Sequence, residues 1–140
     1  MKQHKRAYLY GVLAAILFSG TLAHATYQKA IFADSNSGMI QIGQASWYSR
    51  QSPGIRKTTA NMEVFDDTQL TCAMWNVPFN QRLRITNMEN GRSVEVRVND
   101  RGPHKRFVRK GRVIDLSKAA FKKIANLKTG LITVKIEFLS

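Results

Sequence analysis

The chain has 140 residues, 22 Lys plus Arg against 9 Asp plus Glu for a formal net charge of +13, 44% hydrophobic residues and one cysteine. That length suits one domain and leaves no room for a separate cofactor module. Cys72 alone can close no internal disulfide and build no thiolate metal site, which excludes zinc fingers and disulfide-stapled scaffolds.

Lys2, Lys5 and Arg6 precede an apolar run from Ala7 to Phe18, followed by Ser19, Gly20 and the small-residue frame Ala23-His24-Ala25. This is the order of a secretory signal peptide over residues 1–25, with cleavage expected after Ala25. The apolar run is well short of the ~20 residues that cross a bilayer. The expected destination is the periplasm or cell envelope through the Sec pathway, with possible onward secretion. No cysteine lies near Ala25, so no bacterial lipid anchor is expected there. Cleavage would leave 19 basic against 9 acidic residues, and His104 as the remaining histidine. Such a basic surface suits any polyanion, nucleic acid included. Export points instead to the acidic polymers of an envelope, and nucleic acid is not an expected partner.

Residues 26–38 contain Asp34-Ser35-Asn36-Ser37-Gly38 without sustained periodicity and read as a flexible leader. From Met39 the pattern turns to strand. Ile40, Ile42, Trp47 and Tyr48 flank Gly43, where the strand has freedom to bend. Gln81–Thr86 and Ser93–Val98 each alternate polar with apolar, and Asn90-Gly91 between them suits a tight turn, so the two predict a hairpin. Val113–Leu116 is a short strand carrying one carboxylate. Ser117 then caps a helix through about Ala125, with Ala120, Phe121 and Ile124 on its buried face. Ile132, Val134, Ile136 and Phe138 alternate in a closing strand. Five or six strands and one helix describe a small, mostly β barrel over residues 39–140.

Six strings carry a resemblance: Gly43-Gln44-Ala45-Ser46-Trp47-Tyr48, Thr59 to Asp66, Val77-Pro78-Phe79, Thr86 to Val94, Arg97-Val98-Asn99-Asp100-Arg101-Gly102-Pro103, and Arg112 to Ser117. In that order they resemble the double-psi β-barrel domain of the rare lipoprotein A (RlpA-like) family of bacterial envelope proteins. The resemblance implies a six-stranded double-psi β-barrel with an open groove and one short helix. It also implies an endolytic lytic transglycosylase of peptidoglycan, cleaving glycan strands poor in stem peptides to 1,6-anhydro-muramic ends. That chemistry runs on carboxylate acid/base groups and needs no metal or organic cofactor.

The candidate acids, in order, are Asp115, Asp100, Glu63 and Asp66. Asp115 lies between Ile114 and Leu116, so core packing of those two turns its carboxylate to the opposite face. It could equally favour the start of the following helix. Asp100 resembles a second aspartate of expansins, yet Asn99-Asp100 before Arg101-Gly102-Pro103 is also good turn chemistry. The resemblance places Glu63 and Asp66 in the loop after the first strand, where solvated carboxylates are the plainer alternative. Tyr48, Trp47, Asn99 and Arg101 are the candidate substrate-binding residues. The aromatic pair suits stacking on sugar faces, with Tyr48 favoured for the groove and Trp47 for the core. Arg101 would bridge Asp100 or bind the lactyl carboxylate of muramic acid.

Two positions depart from the family pattern. Met74 stands where the resemblance implies a catalytic histidine, and a thioether relays no proton. Met62 stands where a glycine is usual before Glu63. The departure at Met74 keeps a second reading open, a non-catalytic, expansin-like module that holds peptidoglycan without cutting it. A third, an anionic-polymer binder, rests on charge alone.

Overall fold

The computed structural model describes residues 31–34 and 37–140, so the expected signal peptide and its cleavage site lie outside the described residues. Seven strands form one sheet: β1 Ile31–Asp34, β2 Ser37–Tyr48, β3 Thr71–Ala73, β4 Arg82–Asn87, β5 Ser93–Asp100, β6 Arg112–Ser117 and β7 Ile132–Phe138. Their order is β1-β2-β6-β3-β5-β4-β7, and a further pairing of β2 with β7 closes the last six into a barrel. The strand β1 pairs antiparallel with β2 inside the stretch expected to be a leader. Its pairing covers the part of β2 that β6 does not reach, which local periodicity does not reveal.

Two parallel pairs, β2 with β6 and β3 with β5, flank the antiparallel pair of β3 and β6. Exchanging β2 with β5, β6 with β3 and β7 with β4 maps the ring onto itself. That pseudo-twofold order is the double-psi topology that the family resemblance implies.

The barrel interior follows the alternating pattern. Leu83, Ile85, Val96, Val98, Ile114, Leu116, Val134 and Ile136 are buried, as the period-two spacing predicts. In β2 the inward positions are Gln41, Gly43, Ala45 and Trp47, so Ile40 and Ile42 face outward, half-buried. The strand does not break at Gly43. Instead the isopropyl group of Val113 sits directly over it, where a Cβ would lie 2.5 Å from Val113 Cγ2.

The helix α2, Lys118–Ile124, starts where predicted: Ser117 Oγ accepts from Ala120 N at 3.2 Å. Ala120, Phe121 and Ile124 close one end of the barrel, and full burial of Phe121 contributes about 2–3 kcal/mol. A single-turn helix, α1 (Lys105–Val108), was not predicted. Four residues leave no periodicity to read, and its cap is a histidine, with His104 Nδ1 accepting from Arg106 N at 3.3 Å.

Candidate active site

Register places four residues in one row across neighbouring strands. Ser46 of β2 pairs with Asp115 of β6, Asp115 with Ala73 of β3, and Ala73 with Asp100 of β5. Register partners project to the same side of a sheet, so all four face outward, opposite Ala45, Leu116, Cys72 and Val98 inside. They form part of the wall of an open groove of about 700 Å³. The loop Ser52–Ile55 and the segment leading into α1 also border it.

Parity alone brings Asp115 there, as predicted. Asp100 arrives differently. The alternation of Val94, Val96 and Val98 would carry residue 100 inward, but β5 advances two residues while β3 advances one, leaving Asn99 as a bulge. The bulge reverses parity and turns Asp100 into the groove. A second bulge at Val113, where β6 slips against β2, does the same for Arg112 and sets it on the side of Asp115.

The Asp115 carboxyl accepts from Ser46 Oγ at 2.5 Å, and Arg112 Nη1 stands 3.9 Å from the same oxygen. Burial pushes its pKa up from the ordinary carboxylate range, Ser46 and Arg112 oppose the rise, and Asp100 adds to it. Asp100 Oδ1 accepts from the backbone N–H of Ala60 at 2.9 Å and of Arg101 at 2.8 Å. Ala73 between the two acids is small, and Gly102 packs close by, where a Cβ would meet Ala73 Cβ at 3.2 Å and Asp115 Oδ2 at 3.4 Å.

Tyr48 also lines this groove, its ring stacked on Phe65 with centroids 4.6 Å apart. Its hydroxyl is buried without a hydrogen-bond partner. Burial, then the negative charge of Asp100, raises the phenol's pKa. Trp47 borders the groove but packs against the core, and its Nε1 donates to the Leu127 carbonyl at 3.1 Å. Arg101 lines the groove with its guanidinium 3.7 Å over the Phe79 ring, and Nη1 donates to the Met74 carbonyl at 3.1 Å. It forms no side-chain bridge to Asp100.

The remaining candidates stand apart from the groove wall. Glu63 is gripped by Arg97 through two hydrogen bonds of 2.7 and 2.9 Å, by Asn61 at 2.8 Å and by Asn99 at 3.1 Å. The Arg97 bonds, then that of Asn99, hold its carboxyl down to about 2. Such a group carries no proton to donate at neutral pH. Asn99 is buried and spends its amide on Glu63. Asp66 is bound by Thr68 through Oγ1 and the backbone N–H, which lower its pKa. Met74 is buried in the core and brings no polar atom to the groove.

Several groove residues carried no role in the sequence reading: Ser46, Trp75, Arg106, Phe107 and Arg112. Trp75 is 40% exposed, its Nε1 donating to the Pro103 carbonyl at 2.6 Å. His104 is exposed at the groove rim. The signal available for Ser46 was its place two residues before Tyr48 on the same strand face. Arg112 had none, because its direction depends on the bulge.

Comparison with known proteins gives a consistent picture. Residues 40–136 match the family described as lytic transglycolase. The endolytic peptidoglycan transglycosylase RlpA of Pseudomonas aeruginosa (strain UCBPP-PA14) is 46% identical over 96 residues, which are 69% of this chain and 26% of the relative. That of Vibrio cholerae is 40% identical over 103 residues, 74% of this chain and 37% of the relative. The Campylobacter jejuni protein of the same name is 40% identical over 120 residues, 85% and 40% of the two chains. The chain thus spans between 26% and 40% of these relatives' lengths. Among solved structures, the Streptomyces papain inhibitor superposes with TM-score 0.57 at 24% identity, covering 76% of this chain and all of its own. The apo expansin of Clavibacter michiganensis superposes with TM-score 0.55 at 20% identity, covering 73% of this chain and 51% of its own. At these identities the two structures bear on the fold.

Proposed function

The chain belongs to the lytic transglycolase family as an RlpA-like double-psi β-barrel, and from that premise we propose that it cleaves peptidoglycan glycan strands between N-acetylmuramic acid and N-acetylglucosamine. The observation that carries the reading is the half-buried carboxyl of Asp115, its proton affinity raised, two strand spacings across Ala73 from Asp100 in an open groove.

Asp115 is the general acid. Its proton passes to the glycosidic oxygen, the C1–O bond breaks, and the N-acetylglucosamine end leaves as an alcohol. Positive charge develops at C1 and the ring oxygen, and Asp100 stands across the row as a hydrogen-bond-anchored counter-charge. The C6 hydroxyl of the same muramic residue then attacks C1 and returns its proton to Asp115. No water is consumed, and the product end is a 1,6-anhydro ring. The Ser46 hydroxyl orients the acid throughout. Trp75 supplies an exposed aromatic face for a flanking sugar, whereas Tyr48, expected to do so, is buried with its ring stacked on Phe65. The leader sequence supports action in the periplasm or envelope, where this polymer lies.

A second reading, a module that grips glycan without cutting it, is favoured by the burial of Met74, which leaves no imidazole at that position. Incubation with amidase-stripped strands and mass spectrometry of the products separates the two. Anhydro ends that vanish in Asp115→Asn and Asp100→Asn but persist in Glu63→Gln support cleavage, and activity should fall as pH rises through the elevated pKa of Asp115. Binding without new ends in the unsubstituted protein would leave only the gripping role.

A further inference from the structure

Arg106 and Arg112 share one aromatic ring. Their guanidinium carbons lie 4.6 and 4.2 Å from the centroid of Phe107, and all three residues line the groove. Cation–π contact fixes both planes while leaving the N–H edges free. Among the described residues Arg106 has no acidic partner, and the nearest acid to Arg112 is Asp115 at 3.9 Å, too far for a hydrogen bond. Two like charges held on one ring, with donors free of protein partners, present a site that an anion entering beside them can take.

We propose that Arg106, Phe107 and Arg112 form an anion subsite that takes a carboxylate held close to a sugar ring by a short ether-linked substituent. The commitment to a group close to the sugar follows from position. Arg112 reaches within 3.9 Å of the acid assigned to the scissile oxygen, so the anion it binds belongs to the sugar whose bond is cut or to its immediate neighbour. In a strand of N-acetylmuramic acid and N-acetylglucosamine, the lactyl carboxylate, joined to C3 through an ether oxygen and one carbon, lies on that sugar. It is charged only where no peptide is joined to it as an amide. A carboxylate of the stem peptide itself would sit several bonds further out. This assignment rests on the glycan reading above.

Calorimetry on the Asp115→Asn protein, which should suppress turnover, tests the subsite with three ligands of equal sugar length. These are a peptide-free muramic-glucosamine tetrasaccharide, the same tetrasaccharide bearing stem peptides, and chitotetraose, which has no lactyl group. The peptide-free ligand should bind about tenfold more tightly than chitotetraose. Arg106→Gln should remove most of that difference, leaving chitotetraose binding unchanged, and Phe107→Leu should weaken the peptide-free ligand alone. Lys122→Gln, the same charge change on α2 outside the groove, should alter neither. Equal binding of the peptide-free ligand and chitotetraose would overturn the subsite while leaving the glycan groove standing. Tighter binding of the peptide-bearing ligand, or an equal loss in Lys122→Gln, would overturn it as well. Failure of all three ligands to bind would overturn the glycan reading, and the subsite with it.

Discussion

Replacing Gly43 with alanine tests the packing that holds the acid-bearing strand. The added methyl would stand 2.5 and 2.6 Å from the two Val113 methyl carbons, against roughly 3.5–4.0 Å for an unstrained carbon pair. Relief requires about 1 Å of movement, but Val113 is the bulged residue of β6 and its neighbours Arg112 and Ile114 are fixed by pairing to Gln44 and Ala45. Overpacking of this kind costs about 1–3 kcal/mol, while exchanging glycine for alanine inside a strand returns about 0.5–1 kcal/mol. The expected net loss is about 1–2 kcal/mol, a fall in Tm on the order of 5–10 °C for a domain of this size. Urea unfolding of Gly43→Ala, Val113→Ala and the pair together forms a double-mutant cycle. Because the second change removes the methyls that clash, the pair should be more stable than the sum of singles by about 1–2 kcal/mol. A Gly43→Ala protein as stable as its parent, or a strictly additive pair, would refute the claim that Val113 occupies the space above residue 43.

Three further outcomes follow from side chains already placed. Met62 holds φ 72° with its side chain 79% exposed, so Met62→Gly should stabilise the fold by about 0.5–1 kcal/mol, read as a higher urea midpoint. Glu63, held at about 2 against an ordinary 4.5, contributes stability that is complete above pH 4.5 and is lost as pH falls towards 2. Its side chain is 40% exposed, so solvent screening limits the contribution to about 1 kcal/mol, and Glu63→Gln should flatten the acid limb of a pH–stability curve. Tyr48→Phe removes a buried hydroxyl that has no partner and should leave stability unchanged or raise it by about 1 kcal/mol in thermal melts. A clear loss of stability would mean that the hydroxyl is satisfied.

The fold was legible wherever one face of an element is buried along its length. Leu83, Ile85, Val94, Val96, Ile132 and Val134 mark their strands by alternation, and Ser117 with Ala120, Phe121 and Ile124 marks α2. The strand β3, three residues long and wholly buried, offers no alternation to detect. Asp115 was legible for the same reason as the core, since its neighbours Ile114 and Leu116 declare which way it points. Asp100 was found through its motif and would have been misplaced by parity, because the Asn99 bulge is a property of pairing with β3. The fate of Glu63 depended on Arg97, 34 residues away in sequence and adjacent only in the folded chain. Met62 was visible as a departure from the family's glycine, and its left-handed backbone explains why glycine suits that position.

The two groove acids ride on β6 and β5, the strands on either side of β3 and its Ala73, so about two inter-strand spacings, near 10 Å between α-carbons, set their distance apart. The surrounding walls come from connections: the Ser52–Ile55 loop on one side and the turn carrying Phe107 on another. Apart from Arg112 on β6, the acid spacing and the groove's walls thereby come from separable parts of the chain. Grafting, lengthening or randomising those connections should change which ligands the groove admits without disturbing the spacing of the two acids.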